Sequence, residues 1–121
     1  MANQTLTDCR LSARVLQPDV LVRLGMLDFP MRVLNLSAGG FLMDVPLELP
    51  RGTVERCKFL TDRGDEIRLR ARVIHVLVRR LVTDTSYLIG FEFVDTRSAA
   101  VQHAIARLLG TAPDSQSNAQ L

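Results

Sequence analysis

Tryptophan is absent and tyrosine occurs once, so the chain lacks the aromatic platforms on which an RNA-recognition sheet stacks bases. Cysteine is nearly absent as well. Cys9 and Cys57 are too few and too far apart for a zinc-ligand pattern, and they read as reduced cytosolic thiols, with Cys57 packed within a strand. No apolar run approaches the ~20 residues of a membrane span. Met1-Ala2-Asn3-Gln4-Thr5 has neither a basic n-region nor an apolar h-region, so nothing there predicts secretion. The formal net charge is only +2, too little for a protein that coats long nucleic acid. His75 and His103 have no acidic or Cys partner at metal-ligand spacing, and read as satisfied or exposed side chains. Ser12, Ser37 and Ser86 lack the strand-turn-helix setting of a nucleophile elbow. These absences predict no metal, no catalytic centre and no cofactor.

What is present is one domain's worth of chain. With 121 residues, 47% apolar and 23% charged, the composition is that of a globular protein able to bury a core without staples. Short alternating runs predict six strands: Val20 to Leu24, Met31 to Ser37, Phe41 to Val45, Val54 to Leu60, a long run from Ile67, and Tyr87 to Val94. In the fifth run Ile67, Leu69, Ala71 and Val73 share a face, then the apolar phase slips to Ile74, Val76 and Val78. Such a one-residue slip marks a β-bulge. Asp62-Arg63-Gly64-Asp65 reads as a hairpin turn. A helix follows near Arg97, capped by Asp95 or Thr96, with Val101, Ala104, Ile105 and Leu108 on one face and Gly110 at its end. Residues 1–9 read as a flexible terminus and 111–121 as a disordered tail. The implied class is mainly β, a small antiparallel barrel with a C-terminal helix.

Two short patterns remain. Arg10-Leu11-Ser12-Ala13-Arg14 is an Arg-x-x-x-Arg pair ahead of the first strand. Asn35-Leu36-Ser37-Ala38-Gly39-Gly40 contains Asn-x-Ser-x-x-Gly, a pattern with roughly 0.03 chance matches in a chain of this composition. An arginine fork matches the O6 and N7 acceptors of guanine, and it matches a phosphate equally well. Asn35 and Ser37, two apart in an extended run, point to one face. Gly39-Gly40 lets the backbone turn with φ > 0 and approach a ligand with no Cβ in the way. Arg68 and Arg72 repeat the arginine spacing, but in mid-strand. The Arg68/Arg70/Arg72 stripe, continued by Arg79 and Arg80, reads first as a solvated face and secondly as a docking surface for an acidic partner or a source of extra phosphate contacts.

In their order and spacing, the two patterns resemble the signature of PilZ domains, bacterial receptors for cyclic di-GMP. The resemblance covers about residues 10–109 and implies a six-stranded antiparallel split β-barrel with a C-terminal helix. It implies a domain over residues 10–110 whose segment 10–18 is a ligand-clamping arm, and a ligand site made of Arg10, Arg14, Asn35, Ser37, Gly39 and Gly40. Gly90-Phe91-Glu92-Phe93 also looks like the Gly-x-x-Phe stretch common in the last strand, with Phe91 and Phe93 as core and Gly90 as a close-packing position. Many members carry a third arginine where this chain has Cys9, a position that bears on whether one ligand or a stacked pair is bound. Here one molecule is expected.

The functional expectation is a cytoplasmic cyclic di-GMP receptor. With no output domain expected on the chain, it would act through a protein effector rather than a nucleic acid polymer. The alternatives are a PilZ-like adaptor that does not bind the dinucleotide and a small RNA-binding barrel, the latter disfavoured by low charge and few aromatics.

Overall fold

The computed structural model describes residues 19–25, 27 and 29–111. The expected flexible terminus, arm, Cys9 and the tail beyond Thr111 lie outside these residues. Six strands are present: β1 (Val20–Leu24), β2 (Met31–Leu36), β3 (Gly40–Val45), β4 (Val54–Thr61), β5 (Glu66–Arg80) and β6 (Thr85–Phe93). They close into an antiparallel barrel in the order β1-β2-β3-β6-β5-β4, with β4 pairing back onto β1. Strict alternation drives this arrangement. Val20, Val22 and Leu24 point inward from β1, and Ile67, Leu69, Ala71 and Val73 from β5, while Arg23, Arg68, Arg70 and Arg72 point out.

Two bulges interrupt the ladder. On β5 the register with β6 shifts between Val73 and His75, where the apolar phase slips. On β2 it shifts between Val33 and Asn35, so that Leu34 and Asn35 both face outward. The expectation of one regular strand to Ser37 is corrected here: β2 carries a bulge and ends at Leu36.

Four phenylalanines fill the barrel. Phe41 stacks on Phe91 with centroids 4.6 Å apart and meets the edge of Phe59 at 5.1 Å; Phe93 completes the cluster. Burying each such ring contributes about 1.5–3 kcal/mol.

Helix α1 (Ala99–Leu109) packs on the barrel through Ile105 and Leu108. Its N-cap is Ser98, whose hydroxyl accepts from the Val101 N–H at 3.3 Å, not Asp95 or Thr96. Asp95 has φ 60° and its carboxylate is drawn to Arg70 at 2.6 Å, while the Thr96 carbonyl accepts from the Gln102 amide. Gly110 closes the helix at φ 77°, as expected of a left-handed stop. The Asp62–Asp65 turn grips this end. Arg63 donates to the Arg107 carbonyl at 2.8 Å, and Asp65 lies between the two guanidinium groups. Among the described residues no helix is long and apolar enough to cross a membrane.

Candidate functional site

The outer wall of the barrel over β2, β3, β6 and β5 carries a shallow groove of about 320 Å³. Its geometry follows from one cross-strand row. Asn35 pairs with Leu42, Leu42 with Gly90, and Gly90 with His75. The β2 bulge sits at one end of this row and the β5 bulge at the other. Each throws an extra residue outward, Leu34 at one end and Ile74 at the other, and Ile74 forms part of the groove wall. Between them the floor is low because Gly90 has no side chain. A Cβ there would lie 3.5 Å from His75, an ordinary contact. The expected close packing at Gly90 is therefore not its role.

Asn35, Ser37, Gly39 and Gly40 all line the groove. Asn35 is exposed. Ser37 is half-buried and sits in the tight connection to β3. Its hydroxyl accepts from the Gly39 N–H at 3.3 Å and donates to the Gly40 carbonyl at 3.4 Å, while its own N–H donates to the same carbonyl at 2.9 Å. A hydroxyl has one proton and two lone pairs. With the turn contacts made, one lone pair is left, so Ser37 can accept from a ligand but not donate to it.

Gly40 is required for a different reason from the one the turn suggested. Neither Gly39 nor Gly40 has a positive φ; the glycines that do are Gly52, Gly64 and Gly110. Gly40 instead lies against the backbone of β6. A Cβ would overlap the Phe91 carbonyl oxygen and come within 3.0 Å of Glu92 Cα. Gly39 faces open space, where a Cβ would have only Ser37 Oγ near it, at 4.0 Å.

Glu92, opposite Gly40 in the ladder on one side and Arg72 on the other, is the charged residue among the described lining residues, which include no Lys or Arg. The polar complement is thus rich in acceptors. Leu42, Ile74, Gly90 and Glu92 were not picked out as groove residues from sequence, although the phase slip at Ile74 was a usable signal. Arg10 and Arg14 lie outside the described residues. His75 is exposed, and among the described residues no cluster of His, Cys, Asp or Glu is arranged to hold a metal.

A PilZ domain family model matches residues 6–110. None of the curated proteins matches the chain. Among solved structures, the apo form of MrkH from K. pneumonia is similar over 96% of this chain and 55% of that one, at 18% identity and a TM-score of 0.65. The PilZ domain of YcgR from Escherichia coli, solved with c-di-GMP, is similar over 88% of this chain and 94% of that one, at 18% identity and a TM-score of 0.58. The Bacillus subtilis inhibitor of motility MotI is similar over 93% and 53%, at 20% identity and a TM-score of 0.59. The chain spans about half the length of MrkH and MotI. With the family model spanning nearly the whole barrel and helix, this chain belongs to the PilZ domain family.

Proposed function

We propose that this chain is a cytoplasmic receptor for cyclic di-GMP that signals to a protein partner. The observation that carries this reading is the gathering of Asn35, Ser37, Gly39 and Gly40 on one groove of a PilZ barrel. Solved relatives of this fold include MrkH and YcgR with c-di-GMP.

The chemistry of the groove supports a division of labour. The free lone pair of Ser37, the Asn35 amide and the Glu92 carboxylate suit the donors on a guanine edge, such as its exocyclic amino group. Of the three, only the Asn35 NH2 can donate to phosphate, which only accepts; the Ser37 lone pair and the Glu92 carboxylate cannot. The two phosphates need cations from elsewhere, and Arg10 and Arg14 stand just ahead of β1 in the sequence. A groove of about 320 Å³ is at the low end for a ligand site, so a clamping arm would complete it. One ligand per domain is the stoichiometry in keeping with Cys9.

The second reading, an adaptor that works without the dinucleotide, is favoured by one observation: the described lining residues of the groove include a carboxylate and no cation. Calorimetric titration with cyclic di-GMP separates the two. Micromolar or tighter binding, about −8 kcal/mol or better, supports the receptor. No heat and no thermal shift at about 100 μM ligand supports the adaptor.

A further inference from the structure

The outward face of β1, β4 and β5 arranges cations in register. Arg23 is directly opposite Lys58, and Lys58 is directly opposite Arg68. One step along, Arg56 is opposite Arg70, and the β1 end of that row is Gly25, whose N–H donates to the Arg56 carbonyl. Like charges directly opposite in a ladder destabilise it. The sheet retains two such rows side by side. Carboxylates offset part of the charge: Glu66 reaches Arg68 at 2.8 Å and Lys58 at 3.9 Å, and Asp95 reaches Arg70. Arg23 and Arg56 have no carboxylate partner within 4.0 Å among the described residues.

A cavity of about 700 Å³ opens beside these rows, and Arg23 and Arg56 both line it. Its other wall is mostly apolar, with half-buried Leu27, Val94 and Val101 of the loop segments and α1, and the Asp95 carboxylate on that side is paired with Arg70 at 2.6 Å. In the closed ring the β1–β4 seam lies across the barrel from the β3–β6 seam that carries the candidate ligand groove.

We propose that this face docks an acidic, apolar-anchored segment of a partner protein. Its carboxylates would pair with Arg23 and Arg56, and an aliphatic or aromatic side chain would enter the cavity. The pairing of unmatched cations with an apolar recess is what selects a peptide. A nucleic acid backbone has no apolar group to bury there, and no aromatic side chain is among the described lining residues to stack a base. The inference does not depend on the dinucleotide reading, since the two surfaces do not share a residue.

The test is selection of a random peptide library displayed on phage against the whole chain, with the R23E/R56E variant as counter-selection. Enriched sequences should combine Asp or Glu with Leu, Ile, Val or Phe. A resynthesised peptide should bind the R23E/R56E variant at least about tenfold more weakly, while Arg80→Glu on the distant hairpin changes affinity less than about twofold. If R23E/R56E fails to fold, Arg56→Gln replaces it; it should keep or raise the melting temperature, because it removes one member of an opposed like-charge pair. Enrichment without acidic residues, or equal binding to the charge-reversed protein, overturns the proposal. So does tighter binding, in physiological salt, of a DNA duplex or of phosphatidylglycerol vesicles, each of which assigns the face to a different partner class.

Discussion

Gly40 sits so close to the carbonyl oxygen of Phe91 that the α-hydrogen is the largest group that fits between the two strands. The obstacle is main chain held in a ladder, so neither side can give way. Gly40→Ala should cost at least about 3 kcal/mol, whereas Gly39→Ala, whose Cβ meets open space, should stay within about 0.5 kcal/mol. Thermal melts of the two variants side by side check this, and equal losses would contradict the close-approach account.

Ser37→Ala removes two long hydrogen bonds in the β2–β3 connection and the lone pair that faces the groove. Stability should fall by about 0.5–1 kcal/mol. Affinity for cyclic di-GMP should fall as well, and calorimetry beside a melting curve separates the two effects. Unchanged affinity with a lowered melting temperature would assign Ser37 to the turn alone.

Arg10→Ala and Arg14→Ala should each weaken cyclic di-GMP binding by about 2 kcal/mol or more, with the ligand-free melting temperature almost unchanged. Arg68→Ala is the matched control, because Arg68 faces the opposite wall of the barrel and pairs with Glu66. Arg72 is a poorer control, being opposite Glu92 in the ladder. A loss at Arg68 equal to that at the arm would overturn the motif assignment.

Glu55 faces inward from β4, and burial raises its carboxyl above the ordinary 4.5. The ionised form is therefore penalised in the folded state. That penalty is absent when the pH is below the ordinary value, grows as the pH climbs from there to the raised folded value, and is full above it. Glu55→Gln should raise the melting temperature at about pH 7.5 and leave it unchanged near about pH 4. An effect independent of pH would mean that the gain comes from packing.

The Cys57 thiol is buried, donates to the Glu55 carbonyl at 3.6 Å, and is pushed up to about 12 by burial and then by the Glu55 charge. In a Cys9→Ser background it should resist alkylation at about pH 8 in native protein and react fully once unfolded. Rapid labelling of the folded form would show that the barrel opens locally at β4.

Phe41 touches the other three barrel rings and follows Gly40 directly. Phe41→Ala should cost about 3–5 kcal/mol and, because Phe41 underlies the groove, abolish ligand binding together with the cooperative melt.

The barrel was legible in the sequence because each wall has one wet and one dry face. Val20/Val22/Leu24 and Ile67/Leu69/Ala71/Val73 carry a period of two that only a half-buried strand explains. The phase slip after Val73 even located one bulge. The bulge at Leu34 was not legible, since Val33-Leu34-Asn35-Leu36 contains only one polar residue by which to tell inside from outside. The helix cap was misplaced for a tertiary reason: Asp95 has the right chemistry, but Arg70, twenty-five positions earlier, claims its carboxylate. The role of Gly40 was hidden similarly, because its constraint is a carbonyl fifty-one positions later. The four motif residues of the groove were found by pattern, while Ile74, Gly90 and Glu92 join them only through strand pairing.

That pairing also has a kinetic side. The β4–β5 and β5–β6 hairpins join neighbours in sequence, and such units form in about 1–10 μs. The β3–β6 seam instead joins Gly40 to Glu92, and the β1–β4 seam joins Val20 to Thr61. Chains that must find such distant partners fold in roughly milliseconds to seconds. The groove straddles the β3–β6 seam, with Asn35 and Leu42 on one bank and Gly90 and Glu92 on the other. It comes into being only when the ring shuts, so no partly folded form contains it. Whatever fills it acts as a latch on the closed ring, and its occupancy should be readable as slower unfolding.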